Sequence, residues 1–181
     1  MPSQYLGSQN RLTDGPFAKT GFIPLPMADA RLIVAADIPG TAAGAIGGIL
    51  SKVSTPLLEG GGLSGTPVRI AWASSGAGTV AWDLPLPPDF DTGAAVYLKA
   101  DLASGGTVDT PGFSVKTSWG GTAVVADTLT QSGTARAVDS ATIAAADIAA
   151  DVRSANVVLI PGAHTTDALF LYGLWLEYTK L

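Results

Sequence analysis

Val96, Leu98, Ala100 and Leu102 alternate with Tyr97, Lys99 and Asp101, and this period of two recurs along the chain. Successive side chains of a β-strand point to opposite faces, so the pattern predicts a strand with one buried and one wet face. Val68, Ile70 and Trp72 repeat it, as do Val80, Trp82 and Leu84, and Phe113, Val115, Thr117 and Trp119. Arg31–Ala36 and Val157–Ile160 read as short apolar strands closed by Pro39-Gly40 and Pro161-Gly162. Gly120-Gly121 separates the Phe113 strand from Thr122–Asp127 and predicts a hairpin with a two-residue turn. Ala141–Val152 is rich in alanine, but its neighbourhood of strands favours a strand followed by a turn over a helix.

Two regions break the pattern. Residues 1–27 hold Pro16, Pro24 and Pro26 and show no apolar period, which predicts an extended arm. Phe17, Phe22 and Ile23 on that arm favour burial, so it is expected to lie against its own domain or a neighbour. Residues 40–66 are rich in glycine and predict a long loop with at most one short strand near Ile46–Leu50. Residues 28–181 then form one domain, an all-β, jelly-roll-like sandwich of about eight or nine antiparallel strands.

The run Asp167–Thr179 is apolar on both alternating faces. Ala168, Phe170, Tyr172, Leu174, Leu176 and Tyr178 make one set, and Leu169, Leu171 and Trp175 dominate the other. In strict alternation the bulkier set fills the sandwich. Leu169, Leu171 and Trp175 are then left for a second subunit.

Composition narrows the function. The chain has 181 residues, 47% hydrophobic but only 14% charged, against roughly 25% in an average globular protein. Its basic residues are scattered, which argues against nucleic-acid binding, and the net charge is -5. Cysteine is absent, so disulfides and thiolate metal sites are excluded. The first residues carry neither a basic start nor an apolar stretch, and no apolar run approaches the ~20 residues of a membrane span. A soluble protein made in a cytoplasm is the expectation.

The candidate chemistry is sparse. His164 is the only histidine, and although Asp167 follows at i+3, no second histidine or cysteine can complete a zinc site. Ser64 lacks the Gly-x-Ser-x-Gly elbow, and the glycine runs match neither phosphate-binding pattern. Asp83, Asp89 and Asp91 miss the calcium-loop spacing and read as turn formers. Trp72, Trp82 and Trp119 are in phase with aliphatic residues and are expected in the core or an interface rather than stacked on sugar; Trp175 is the exception. Neither catalytic residues nor cofactors are expected.

Several stretches resemble a group of tailed-bacteriophage virion structural proteins. They are Thr55–Glu59, Val68–Trp72, Leu86–Asp91, Val108–Val115 and, most fully, Pro161–Tyr178. The resemblance implies a non-enzymatic jelly roll of the head decoration or cement type. It would be a homotrimer on the capsid surface, binding across major capsid subunits. Leu169, Leu171 and Trp175 are then expected at the subunit interface, and Phe17, Phe22 and Ile23 against the capsid. The alternative is a carbohydrate- or receptor-binding β-sandwich module of a phage fibre or tail.

Overall fold

The computed structural model describes residues 19–33, 46–49, 56–60, 67–109, 111–120, 123–130 and 133–181. Phe17 and most of the expected arm lie outside them. Twelve strands run through the described residues and form two antiparallel sheets packed as a β-sandwich of jelly-roll type. In chain order they are β1 (Thr20–Pro24), β2 (Arg31–Ile33), β3 (Ile46–Ile49), β4 (Leu57–Glu59), β5 (Arg69–Trp72) and β6 (Thr79–Pro85). Then come β7 (Val96–Ser104), β8 (Phe113–Ser118), β9 (Ala123–Leu129), β10 (Ala137–Ile143), β11 (Ser154–Pro161) and β12 (Leu169–Thr179).

Sheet A has the order β10-β7-β12-β5-β4, with β1 also pairing with β12. β5 and β1 share one edge of β12, β5 along Leu169–Leu171 and β1 along Trp175–Thr179. Sheet B has the order β3-β2-β6-β11-β8-β9. Ile70, Trp72, Leu98, Leu102 and Leu171 from sheet A meet Val80, Trp82, Phe113, Val115 and Leu159 from sheet B in one buried core. Trp72, Trp82 and Trp119 are all in it, as their phase predicts. Two of the buried indoles keep partners: Trp72 Nε1 donates to Gly78 O at 2.6 Å, and Trp82 Nε1 to Pro26 O at 2.9 Å, whereas the buried Trp119 Nε1 finds no acceptor among the described residues.

Ala141–Val152 does divide into strand and turn: β10 ends at Ile143, and a 3-10 turn spans Ala145–Asp147. Pairing of β8 with β9 is described as far as Ser118↔Ala123, and Gly121 of the expected two-residue hairpin turn, with Thr122 after it, lies outside the described residues. Trp119, just before the turn, is buried in the core, and Gly120 takes φ +81, a left-handed conformation that glycine adopts without strain.

The described end of the arm takes the first of its two expected courses, lying along its own domain. Residues 20–24 extend the chain's own sheet, antiparallel to β12, with Phe22 opposite Glu177 and Pro24 opposite Trp175. Proline is tolerated there because β1 pairs on its β12 side. Gly21 sits opposite Tyr178, and a Cβ at Gly21 would come within 2.0 Å of the Tyr178 ring. The ring is held in place by stacking on Phe90 and by the hydroxyl, which donates to Asp89 Oδ1 at 3.0 Å. Gly21→Ala is therefore expected to destabilise the protein by about 1–3 kcal/mol through overpacking, read by urea denaturation. A change of a few tenths of a kcal/mol would mean that β1 docks more loosely than this contact implies.

Candidate functional site

The outward face of sheet A gathers five aromatic residues from three strands. β1 contributes Phe22, β7 contributes Tyr97, and β12 contributes Phe170, Tyr172 and Trp175. Phe22 is 61% and Tyr97 43% exposed, far above the few per cent of the core rings. The described outward residues of sheet B include Arg31, Ile33, Thr79, Ala81, Asp83, Ser114, Lys116, Ser118, Thr128, Asn156, Val158 and Ile160. Not one of these is aromatic. The two faces of the sandwich are chemically unlike, and sheet A carries the candidate site.

A β-bulge produces this face. Leu171 pairs with Leu102 and Gly173 with Asp101, so Tyr172 is the extra residue and the alternation of β12 shifts by one. Before the bulge the odd residues Leu169 and Leu171 point inward; after it the even residues Leu174, Leu176 and Tyr178 do. Phe170, Tyr172, Trp175 and Glu177 are turned outward and stay half-buried.

The bulge also divides the face into two halves. On the β5 side the rings are roofed by arginines. Arg69 stacks over Phe170 at 3.8 Å, donates from Nη1 to the Tyr172 hydroxyl at 2.9 Å, and pairs with Glu59 at 2.6 Å. Arg136 lies 4.3 Å over the Tyr172 ring and is ion-paired with Asp101. These are cation–π contacts of the usual kind, and they occupy ring surface a ligand would need.

On the β1 side no arginine covers the rings among the described residues; Phe22 and Tyr97 are exposed, and Lys99 Nζ lies 5.8 Å from the Tyr97 ring centroid. Phe22, Glu177 and Tyr97 form one row across three strands, with Thr142 of β10 beyond. Pro24, Trp175, Lys99 and Ser140 form the next row. Trp175 leans over Gly173, where a Cβ would lie 3.7 Å from Trp175 Cζ3, and its Nε1 donates to Glu177 Oε1 at 3.3 Å. Glu177 thus orients the indole and keeps a second oxygen for other donors.

No protein-family model matches the chain, and no curated protein matches it in sequence. Among solved structures, a xylan-binding module (CBM15) matches at a TM-score of 0.51 with 11% identity, covering 88% of this chain and 97% of that one. TmCBM61, solved in complex with beta-1,4-galactotriose, matches at 0.44 with 12% identity and 90% of each chain covered. The enzymatically active domain of bacteriophage CBA120 tailspike protein 4 matches at 0.39 with 10% identity, over 86% of this chain and 18% of that one. The likeness is one of fold.

The sequence-predicted residues divide cleanly. Leu169 and Leu171, expected at a subunit interface, are fully buried in the chain's own core, because the bulge reverses the phase in which they were read. Trp175 is on the outer face as expected. Phe22, expected to touch a partner, lies beside it, whereas Ile23 points inward and packs against the core. Phe170 and Tyr172, expected inside, are outside.

Tyr97, Lys99 and Glu177 were not singled out from sequence. Their signal was an aromatic and two opposite charges on the wet sides of β7 and β12, which only the sheet order brings together. His164 is a buried turn residue, its ring nitrogens 2.8 Å from Gly162 O and 3.0 Å from Ala73 O. Asp91 forms the expected turn by accepting from Gly93 N at 2.8 Å.

Proposed function

We propose that the protein is a non-catalytic carbohydrate-binding β-sandwich module that holds sugar on the open half of sheet A. The observation that carries this reading is the set of exposed Phe22 and Tyr97 and half-buried Trp175, turned outward on one face and interleaved with Lys99, Glu177, Ser140 and Thr142. A pyranose ring presents C–H groups on its faces and hydroxyls around its rim. Flat rings alternating with donors and acceptors complement both features. The fold shared with a xylan-binding module is compatible with this use.

The resemblance in sequence to phage virion proteins supports placing such a module on a particle, as part of a fibre or tail. The cement-protein reading, a trimer on the major capsid protein, is supported less well, since two of its three interface residues are in the core. Charged residues also lie in the middle of the aromatic patch, and cores of protein interfaces are depleted in Lys and Glu.

Affinity electrophoresis through gels containing soluble polysaccharides tests the proposal. Retention by at least one polysaccharide, weakened at least about tenfold by Trp175→Ala with the melting temperature nearly unchanged, is the expected result. Mobility unaffected by every polysaccharide tried would sink it.

A further inference from the structure

Building on the carbohydrate-binding reading, we infer that the ligand is an uncharged oligosaccharide laid across β1, β12 and β7, stacked on Phe22, Trp175 and Tyr97. Lys99 and Glu177 are its hydroxyl-reading residues.

The charge balance of the face supports an uncharged ligand. Among the described residues the outer side of sheet A carries three cations, Arg69, Lys99 and Arg136, and three carboxylates, Glu59, Asp101 and Glu177. Both arginines are already ion-paired and lie over Phe170 and Tyr172. What remains near the open rings is one cation and one anion, on adjacent strands and in adjacent rows. A carboxylated sugar drawn to Lys99 would also meet Glu177, and the chain as a whole carries -5. Hydroxyl groups suit both: they accept from the Lys99 ammonium and donate to the Glu177 carboxylate.

The placement of the rings supports a chain running across the strands. Phe22 and Tyr97 flank Glu177 in one row, so they stand two strand spacings apart, about 10 Å. Trp175 lies between them on the central strand, one row nearer the bulge. A single sugar cannot cover platforms so separated, whereas an oligosaccharide can. On the other side of Gly173 the rings of Phe170 and Tyr172 each carry an arginine over one face, and they bound the site.

The experiment pairs a polysaccharide panel with calorimetry. Neutral gels (xylan, galactan, mixed-linkage glucan) are compared with acidic ones (polygalacturonate, alginate) at about 20 and about 300 mM salt. Retention by a neutral polymer, changing less than about twofold between the two salt concentrations, is expected. Calorimetry with that polymer's oligosaccharides should show a trisaccharide bound at least about tenfold more tightly than a monosaccharide. Phe22→Ala, Lys99→Met and Glu177→Gln should each weaken binding about three- to tenfold, while Tyr172→Phe leaves it within about twofold.

Retention by acidic polymers alone, lost on adding salt, would overturn the uncharged ligand while leaving the sugar-binding module standing. Loss of binding in Tyr172→Phe but not in Phe22→Ala would overturn the placement. Retention by no polysaccharide would overturn both this inference and the function it rests on.

Discussion

Leu171→Ala is expected to destabilise the protein by about 2–5 kcal/mol, whereas Trp175→Ala is expected to cost about 1 kcal/mol or less. The two side chains lie four residues apart on one strand, and strict alternation would put them on the same face. The bulge separates them. Leu171 is fully buried between the sheets, and truncating it removes packed methyl groups and leaves a cavity. Trp175 is half-buried on the outer face, with its indole over Gly173 and its Nε1 on Glu177. Urea unfolding of both variants, with m-values compared to exclude a changed denatured state, reads the difference directly. A mild Leu171→Ala beside a severe Trp175→Ala would show that the phase of β12 is the reverse of that described. The pair also separates stability from binding, since Trp175 is the variant expected to lose ligand.

That reversal explains why the terminal run reads as apolar on both faces. A strand whose inward residues are 169 and 171, then 174, 176 and 178, places core side chains in both alternating sets. The union of the two registers looks like a strand without a wet face. A bulge has no compositional mark of its own beyond a small residue such as Gly173, so sequence alternation carried through it assigns half the strand wrongly. Register also shifts between β2 and β3 and between β8 and β9, but β5, β6, β7 and β8 keep their own alternation. β5, β6, β7 and β8 appear where the period of two puts them and β11 where the short apolar run does, and the core tryptophans follow. The short β4, three residues with neighbouring glycines, gave no period to read.

The site was less legible than the fold for a different reason. Trp175 and Phe22 could be marked as apolar side chains in need of cover, but what covers them depends on their neighbours. Those neighbours come from β7 and β10, and their adjacency is set by register: Lys99 opposite Trp175, Tyr97 opposite Glu177, Ser140 opposite Lys99. Seen alone, Trp175 invites a protein partner. Seen between Lys99 and Glu177, it sits in a patch too polar for the middle of a protein interface and suited to a hydroxylated ligand.

Asp167→Ala is expected to cost about 2–3 kcal/mol, because this carboxylate is one half of a reciprocal clamp. Asp167 is buried, and its Oδ2 accepts from Val108 N at 2.6 Å and Asp109 N at 3.0 Å. Asp109 Oδ2 accepts in return from Thr165 N at 2.7 Å, from Thr166 N, and from Asp167 N at 3.2 Å. The clamp ties the loop leaving β7 to the loop entering β12, so it holds side by side the two strands that carry Tyr97 and Trp175. The backbone N–H groups of Thr166 and then Thr165 hold the Asp109 carboxyl below the usual carboxylate range. A carboxyl with a depressed folded value contributes stability that is fully present above its unfolded value, about 3.9, and lost as pH falls through the folded value. The melting-temperature gap between wild type and Asp109→Asn should therefore be flat from about pH 8 to about pH 5. It should narrow only in stronger acid, below about pH 4. A gap that widens on acidification would show that the Asp109 carboxylate does not serve as the acceptor for the 165–167 loop.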